Sequence, residues 1–227
     1  MDLRRAHPAS LSPRALAIAG WTAFLLAGAL FLAIGWNVTA RGSLVALDMR
    51  VSGWLQEHGH PALIAFLLAI THLHSTAAIG AWSLVFGAVL ARLREWYWIL
   101  TLALAVGGAM LLNLLLKGAY ERARPRFAEP ILELATYSFP SGHTTAATAF
   151  YGVLAAFLVS RFYDARRRAA CVAGAIGAIA LVAFSRVYLG AHYLSDVVAA
   201  ACSATAWLVL CLATGHALVR KRLEFRA

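Results

Sequence analysis

The charged residues of this chain come in short bursts, and between the bursts run stretches of about 20 residues that carry no charge. Ala15 to Ile34 and Trp96 to Leu116 are two such runs. Inside hydrocarbon every backbone N–H and C=O must find its partner within the protein, so runs of this length and number predict a bundle of membrane-spanning helices. Only 13% of the 227 residues are charged and 62% are hydrophobic, against about a quarter charged in soluble domains. The expected class is all-α: an integral membrane bundle of six transmembrane helices, with an additional interfacial helix near residues 50–70.

The first 36 residues have the outline of a signal peptide, but the Ala15 to Ile34 run exceeds the usual ~7–15-residue signal core and reads as an uncleaved first span. Pro61 to Ala91 is too long for one ordinary crossing and too short for two. His72, His74 and Ser75 mark a break in it, so Pro61 to Ile70 reads as a helix at or dipping into the interface, followed by span two. Span three is Trp96 to Leu116, opened by the aromatic anchor Trp96, Tyr97 and Trp98. Span four runs from Ser141 to Ser160, span five from Ala169 to Ser185, and span six from Ser195 to Val219. Small residues at Ala173–Gly177 and Ala199–Ala201 suit close helix packing. The whole chain, 1–227, reads as a single membrane-embedded domain.

The net charge of +10 could point to nucleic acid, but the placement of the basic residues argues against that reading, and no nucleic-acid partner is expected. Thirteen of the 20 lysines and arginines (among them Arg4, Arg5, Arg92, Arg94, Arg166 to Arg168 and Arg220 to Arg222, with Lys221) fall in segments that alternate with those holding the other seven. The positive-inside rule then puts both termini in the cytoplasm and loops 37–60, 118–140 and 186–195 outside. Compact size and short loops suggest a bacterial cytoplasmic (inner) membrane. Cys171, Cys202 and Cys211 lie within apolar runs and read as buried small hydrophobes.

Three polar clusters then stand at span ends on the external side. Lys117, Arg124 and Arg186 are cations close to the bilayer, where each is costly by itself and where together they can cradle a phosphate. Ser141, an N-cap residue, and Gly142 open span four, and a helix start presents free N–H groups to an anion. A cationic His143 in that first turn opposes the helix dipole unless an anion sits nearby. His192 and Asp196 are four residues apart, and a carboxylate that accepts the Nδ1 proton leaves Nε2 free as a nucleophile. Taken singly, each cluster is also compatible with a lipid anchor, a capped helix or a polar pair that ties down a loop.

In order, Lys117-x6-Arg124-Pro125, Pro140-Ser141-Gly142-His143 and Ser185-Arg186-x5-His192-x3-Asp196 resemble the signature of the type 2 phosphatidic acid phosphatase (PAP2) superfamily, matched at all eleven positions. The resemblance is close over residues 117–196 and looser over the six-span layout. It implies that His192 is the nucleophile of a phosphohistidine mechanism, that Asp196 orients it, and that His143 protonates the leaving oxygen. Lys117, Arg124, Ser141, Gly142 and Arg186 would then hold the phosphate. No metal and no cofactor are implied. The expected partner is a lipid phosphate in the bilayer: phosphatidic acid, phosphatidylglycerophosphate, undecaprenyl diphosphate or lipid A.

Two other classes compete with that expectation. A vanadate-dependent haloperoxidase shares the constellation, though on large soluble proteins, and a non-catalytic headgroup binder or transporter could use the cations alone. Outside the signature, Glu121, Arg122 and Arg126 read as solvated loop charges. His72 and His74 read as part of the helix break, and Asn113 and His216 as hydrogen-bonding residues between helices.

Overall fold

A computed structural model describes residues 13 to 224 apart from 128, 129 and 133, with the side chains of 13, 16 and 216–224 left out. His216, Arg4, Arg5 and the C-terminal basic side chains therefore lie outside the described residues. Eight helices and no strand occur among those described, so the fold is all-α. They are α1 (Pro13–Thr39), α2 (Ser43–Glu57), α3 (Pro61–Leu73), α4 (Thr76–Arg92), α5 (Trp96–Tyr120), α6 (Gly142–Arg161), α7 (Ala165–Tyr188) and α8 (Leu194–Glu224).

Five helices (α1, α5, α6, α7 and α8) are long and apolar enough to cross a bilayer. A sixth crossing, expected from the sequence as the segment after the His72–Ser75 break alone, exists only if α3 and α4 together form one broken span rather than a re-entrant loop. α4 alone has 17 residues, about 26 Å at 1.5 Å per residue, and falls short of a hydrocarbon core of about 30 Å. Joined to α3 across a 52° bend it is long enough. The bend has a local cause: His74 Nδ1 bonds the Ile70 carbonyl at 2.8 Å, and the Ser75 hydroxyl caps the next helix by accepting from the Ala78 N–H at 3.1 Å.

Two features depart from the sequence reading. The segment 37–60, expected as an external loop with a helix only from about residue 50, contains the 15-residue helix α2, which starts at Ser43. Its charges at Asp48, Arg50 and Glu57 disqualify it as a span, and its buried face is the polar pair Asp48 and Ser52 rather than an apolar stripe. The Ala173–Gly177 stretch is largely exposed instead of packed, and a Cβ at Gly174 or Gly177 would touch nothing within 4 Å. That part of α7 borders an open groove, lined by Ile176, Ile179 and Ala180.

α6 is the central helix. Ala146, Ala147, Ala149 and Val153 are fully buried or nearly so, and Phe150 and Phe157 complete a core with Ile79, Leu90, Trp98 and Leu102. A Cβ on Gly152 would lie 2.3 Å from the Leu208 side chain, so α6 and α8 approach at a distance only glycine permits without the leucine moving. Ala199 and Ala200 of α8 are buried as small packing residues should be.

Candidate active site

The ends of α5, α6, α7 and α8 meet around one polar cluster, and local backbone chemistry explains each arrival. α5 ends in a left-handed Glu121 at φ 44°, whose N–H caps the Lys117 carbonyl at 3.0 Å. After α7, the Arg186 carbonyl accepts from the N–H groups of both Ala191 and His192, at 3.0 and 3.1 Å. This tight turn folds His192 back beside Arg186. It needs Gly190 at φ +68°, where a Cβ would also strike the Phe127 ring at 2.7 Å.

The helix starts hold the rest. Ser141 occupies the N-cap position of α6, as expected, but its side chain makes no cap hydrogen bond; its hydroxyl accepts from Thr144 Oγ1 at 3.1 Å. Its N–H donates to the Asp196 carbonyl at 3.2 Å, which ties the start of α6 to that of α8. A Cβ on Gly142 would lie 3.5 Å from Asn113 Oδ1, an ordinary contact, so protein packing alone does not require glycine there. Asn113 bridges α5 and α6 by donating to the Pro140 carbonyl and Thr145 Oγ1 at 3.2 and 3.0 Å, as its place within a span suggested.

Asp196, in the first turn of α8, complements the helix dipole and is fully buried. Its Oδ2 accepts from the Tyr193 N–H at 2.9 Å and from the Ser138 hydroxyl. His192 Nδ1 lies 3.5 Å from the same oxygen, longer than a hydrogen bond, and is buried without another partner. On the far side of the ring, Nε2 is 3.2 Å from Arg124 Nη1. A guanidinium can only donate, so Nε2 is the acceptor and the proton resides on Nδ1, facing the carboxylate.

Arg124 is anchored at several points: Nε to the Thr136 carbonyl at 2.6 Å, Nη2 to Thr136 Oγ1 at 2.9 Å, and Nη1 to the Ala191 carbonyl at 2.6 Å. Burial, its largest influence, makes the guanidinium a weaker base than usual, with Asp196 opposing that effect. Lys117 Nζ donates to the Tyr137 carbonyl. Arg186, 2% exposed, spends Nη1 on Thr71 Oγ1, and its Nε is buried with no partner. His143 is half-buried in the first turn of α6 and is acted on electrostatically by Arg186, His192, Arg124 and His74. Lys117, Arg124, Ser141, Gly142, His143, Arg186, His192 and Asp196 thus come together in one place. The cluster has the means to bind a tetrahedral anion, attack it from an imidazole and stabilise the charge that moves.

Other members of the cluster were not anticipated. Arg122, read as a solvated charge, has a side chain only 9% exposed and bridges two carboxylates, Asp196 at 2.6 Å and Asp48 at 2.7 Å. Ser138 and Thr71 support Asp196 and Arg186. Asp48 carried the one available signal, since an acid on the buried face of a helix demands a cation. Glu121 and Arg126 are exposed, as expected. His74, besides marking the break, bonds Tyr151 through Nε2 at 2.8 Å.

Comparison with known proteins places this geometry. The profile of the PAP2 superfamily matches residues 96–220. Phosphatidylglycerophosphatase B of Bacillus subtilis is 37% identical over 139 residues, covering 60% of this chain and 68% of that protein. The crystal structure of a transmembrane PAP2-type phosphatidylglycerolphosphate phosphatase from Bacillus subtilis superposes with a TM-score of 0.74 at 30% identity, covering 86% of this chain and 94% of that one. The crystal structure of Aquifex aeolicus LpxE shares the fold, with a TM-score of 0.59 at 23% identity over 73% of this chain and 94% of that one.

Proposed function

We propose, from the premise that this chain belongs to the PAP2 superfamily, that it is a membrane phosphatase that removes the phosphate of an anionic lipid through a phosphohistidine intermediate. Lipid phosphate phosphatase activity follows from the kinship; the nucleophile, the substrate and the sidedness are the proposal. The observation that carries it is the geometry at His192: a buried imidazole whose Nε2 faces the Arg124 guanidinium and whose Nδ1 faces Asp196.

In the first step His192 Nε2 bonds to phosphorus as the ester P–O bond breaks, and His143, protonated, gives its proton to the leaving lipid oxygen. Asp196 balances the positive ring that forms. Arg124, Arg186 and Lys117 neutralise the phosphoryl oxygens, the first amides of α6 add their dipoles, and the unpaired Arg186 Nε supplies a directed donor. In the second step water attacks phosphorus, His143 takes its proton, the P–N bond breaks, and inorganic phosphate leaves. The protein's own cations provide the charge neutralisation, so the mechanism routes no step through a metal.

A groove of about 1090 Å³ with almost wholly apolar walls supports a lipid substrate. It runs between α2, α7 and α8, and its lining residues Val187 and Val197 are chain neighbours of Arg186 and Asp196. A tail seated there from the side would bring its headgroup to the cluster. Phosphatidylglycerophosphate is the leading substrate, by kinship with the Bacillus subtilis enzyme. The test is hydrolysis by the purified protein of phosphatidylglycerophosphate, phosphatidic acid, undecaprenyl diphosphate and lipid A, with and without vanadate. The expected result is fastest release from phosphatidylglycerophosphate and inhibition by vanadate, a phosphate mimic. Hydrolysis of none of the four contradicts the reading, and vanadate-dependent halide oxidation replaces it with a peroxidase.

We read residues 1–227 as one catalytic domain in the inner membrane, termini inside and site outside, on the strength of the charge asymmetry between loops. Ala123 is exposed in the loop that carries Arg122 and Arg124. In a cysteine-free background, Ala123→Cys reacts with an impermeant thiol reagent in intact cells. Labelling only after membrane disruption reverses the orientation.

A further inference from the structure

Asp48 on α2 is 1% exposed, and no step above uses it. Its Oδ1 accepts from the Ser195 N–H at 2.9 Å, so it caps the start of α8, and its Oδ2 accepts from the Ser195 hydroxyl and, at 2.7 Å, from Arg122 Nη2. Arg122 turns its other nitrogen, Nη1, on Asp196 Oδ1 at 2.6 Å and on Ser195 Oγ at 2.8 Å. Its guanidinium carbon sits 4.3 Å from the Tyr193 ring centroid. A carboxylate–guanidinium–carboxylate chain therefore runs from α2 to the His192 partner.

We propose that Asp48 and Arg122 are positioning residues for the His192–Asp196 pair: Arg122 fixes the Asp196 carboxylate so that Oδ2 faces His192, and Asp48 restores the negative charge that Arg122 would otherwise cancel. The inference rests on His192 acting as the nucleophile. Arg122 by itself would convert Asp196 into a neutral ion pair, a poor counterion for the imidazole as it becomes cationic. With Asp48 included the three groups sum to −1, and the positive ring brings the buried set to zero. Charge counts of this kind matter most where water is excluded. The divided labour of Asp196 agrees with this: Oδ1 is occupied by Arg122, which leaves Oδ2, held by Ser138 and Tyr193, toward the ring.

A mere tether of α2 to α8 would use the same bonds, so the test must separate chemistry from folding. Asp48→Asn, Arg122→Lys, the double variant Asp48→Asn with Arg122→Gln, and His192→Ala are purified as full chains. Steady-state kcat and KM for the lipid substrate and the thermal midpoint are measured on each. In Asp48→Asn, kcat falls about 10- to 100-fold, the usual cost of losing a residue that orients a reacting group through another, while KM changes little. In the double variant, which removes both charges, kcat recovers above that of Asp48→Asn alone, a non-additivity that a tether does not produce. Arg122→Lys lowers kcat as well, because one ammonium cannot hold both carboxylates in a planar fork, and this variant carries the test if Asp48→Asn does not fold. Unchanged kcat in Asp48→Asn or Arg122→Lys, with only the midpoint lowered, overturns the proposal, and so does a double variant no better than the single. If His192→Ala still turns over, the nucleophile reading itself fails. If His192→Ala is dead while Asp48→Asn works normally, only the positioning role fails.

Discussion

His192→Ala loses turnover by about 10⁴-fold or more if the proposed mechanism holds, because there it removes the atom that bonds to phosphorus and not merely a contact with substrate. Binding of a non-hydrolysable phospholipid analogue survives, since Lys117, Arg124 and Arg186 remain. Rapid quenching of the wild type with labelled substrate in alkaline detergent traps a base-stable, acid-labile phosphoenzyme that the variant does not form. Retained hydrolysis, or a phosphoenzyme in His192→Ala, contradicts the mechanism. The same residue sets a pH expectation. Burial is the largest influence on His192 and takes its imidazole from 6.5 down to about 4; Asp196 pulls upward, and Arg124 and Arg186 push further down. A nucleophile must be unprotonated, so the His192 contribution to activity is complete at neutral pH and disappears only as pH falls through about 4. An inactivating limb near 6.5 that persists across substrates whose phosphates ionise differently would place the titrating ring in water instead.

Arg186→Lys costs about 10²- to 10³-fold in kcat/KM, the range for removing one preorganised donor to a developing oxyanion. Conserving charge does not help here. The guanidinium is held at one end by Thr71 of α3, and its Nε is buried and free at another edge. A lysine has a single ammonium and cannot serve the threonine and a phosphate oxygen in the same fixed plane. Steady-state kinetics on the purified variant check this, with the thermal midpoint as control for folding. A loss of less than about tenfold would mean that Arg186 acts through charge alone.

The five long spans were readable because hydrocarbon imposes one rule everywhere, and uncharged runs such as Trp96 to Leu116 express it directly. The cluster was readable because its members fall at span ends, where a polar residue needs a reason. The first half of α2, before residue 50, escaped for the opposite cause. The buried face of the helix is Asp48 and Ser52, so no hydrophobic period marks it, and its meaning lies in partners 74 and 147 residues away. Arg122 escaped because loop arginines are usually solvated, and nothing local distinguishes one that turns inward. The Ala173–Gly177 stretch shows the limit from the other side: small residues permit close packing, but they do not say whether a neighbour is present.

The groove beside Val187 and Val197 is open and walled almost wholly by apolar side chains, which under the proposed function would receive a lipid tail from within the bilayer. An enzyme that takes its substrate along that route samples a two-dimensional solution, so its saturation depends on the mole fraction of phosphorylated lipid in the surface rather than on bulk molarity. Diluting that lipid with inert neighbours slows turnover even when every molecule remains in the vesicle. The dephosphorylated product, sharing the same tails, competes for the same slot until it diffuses away in the plane.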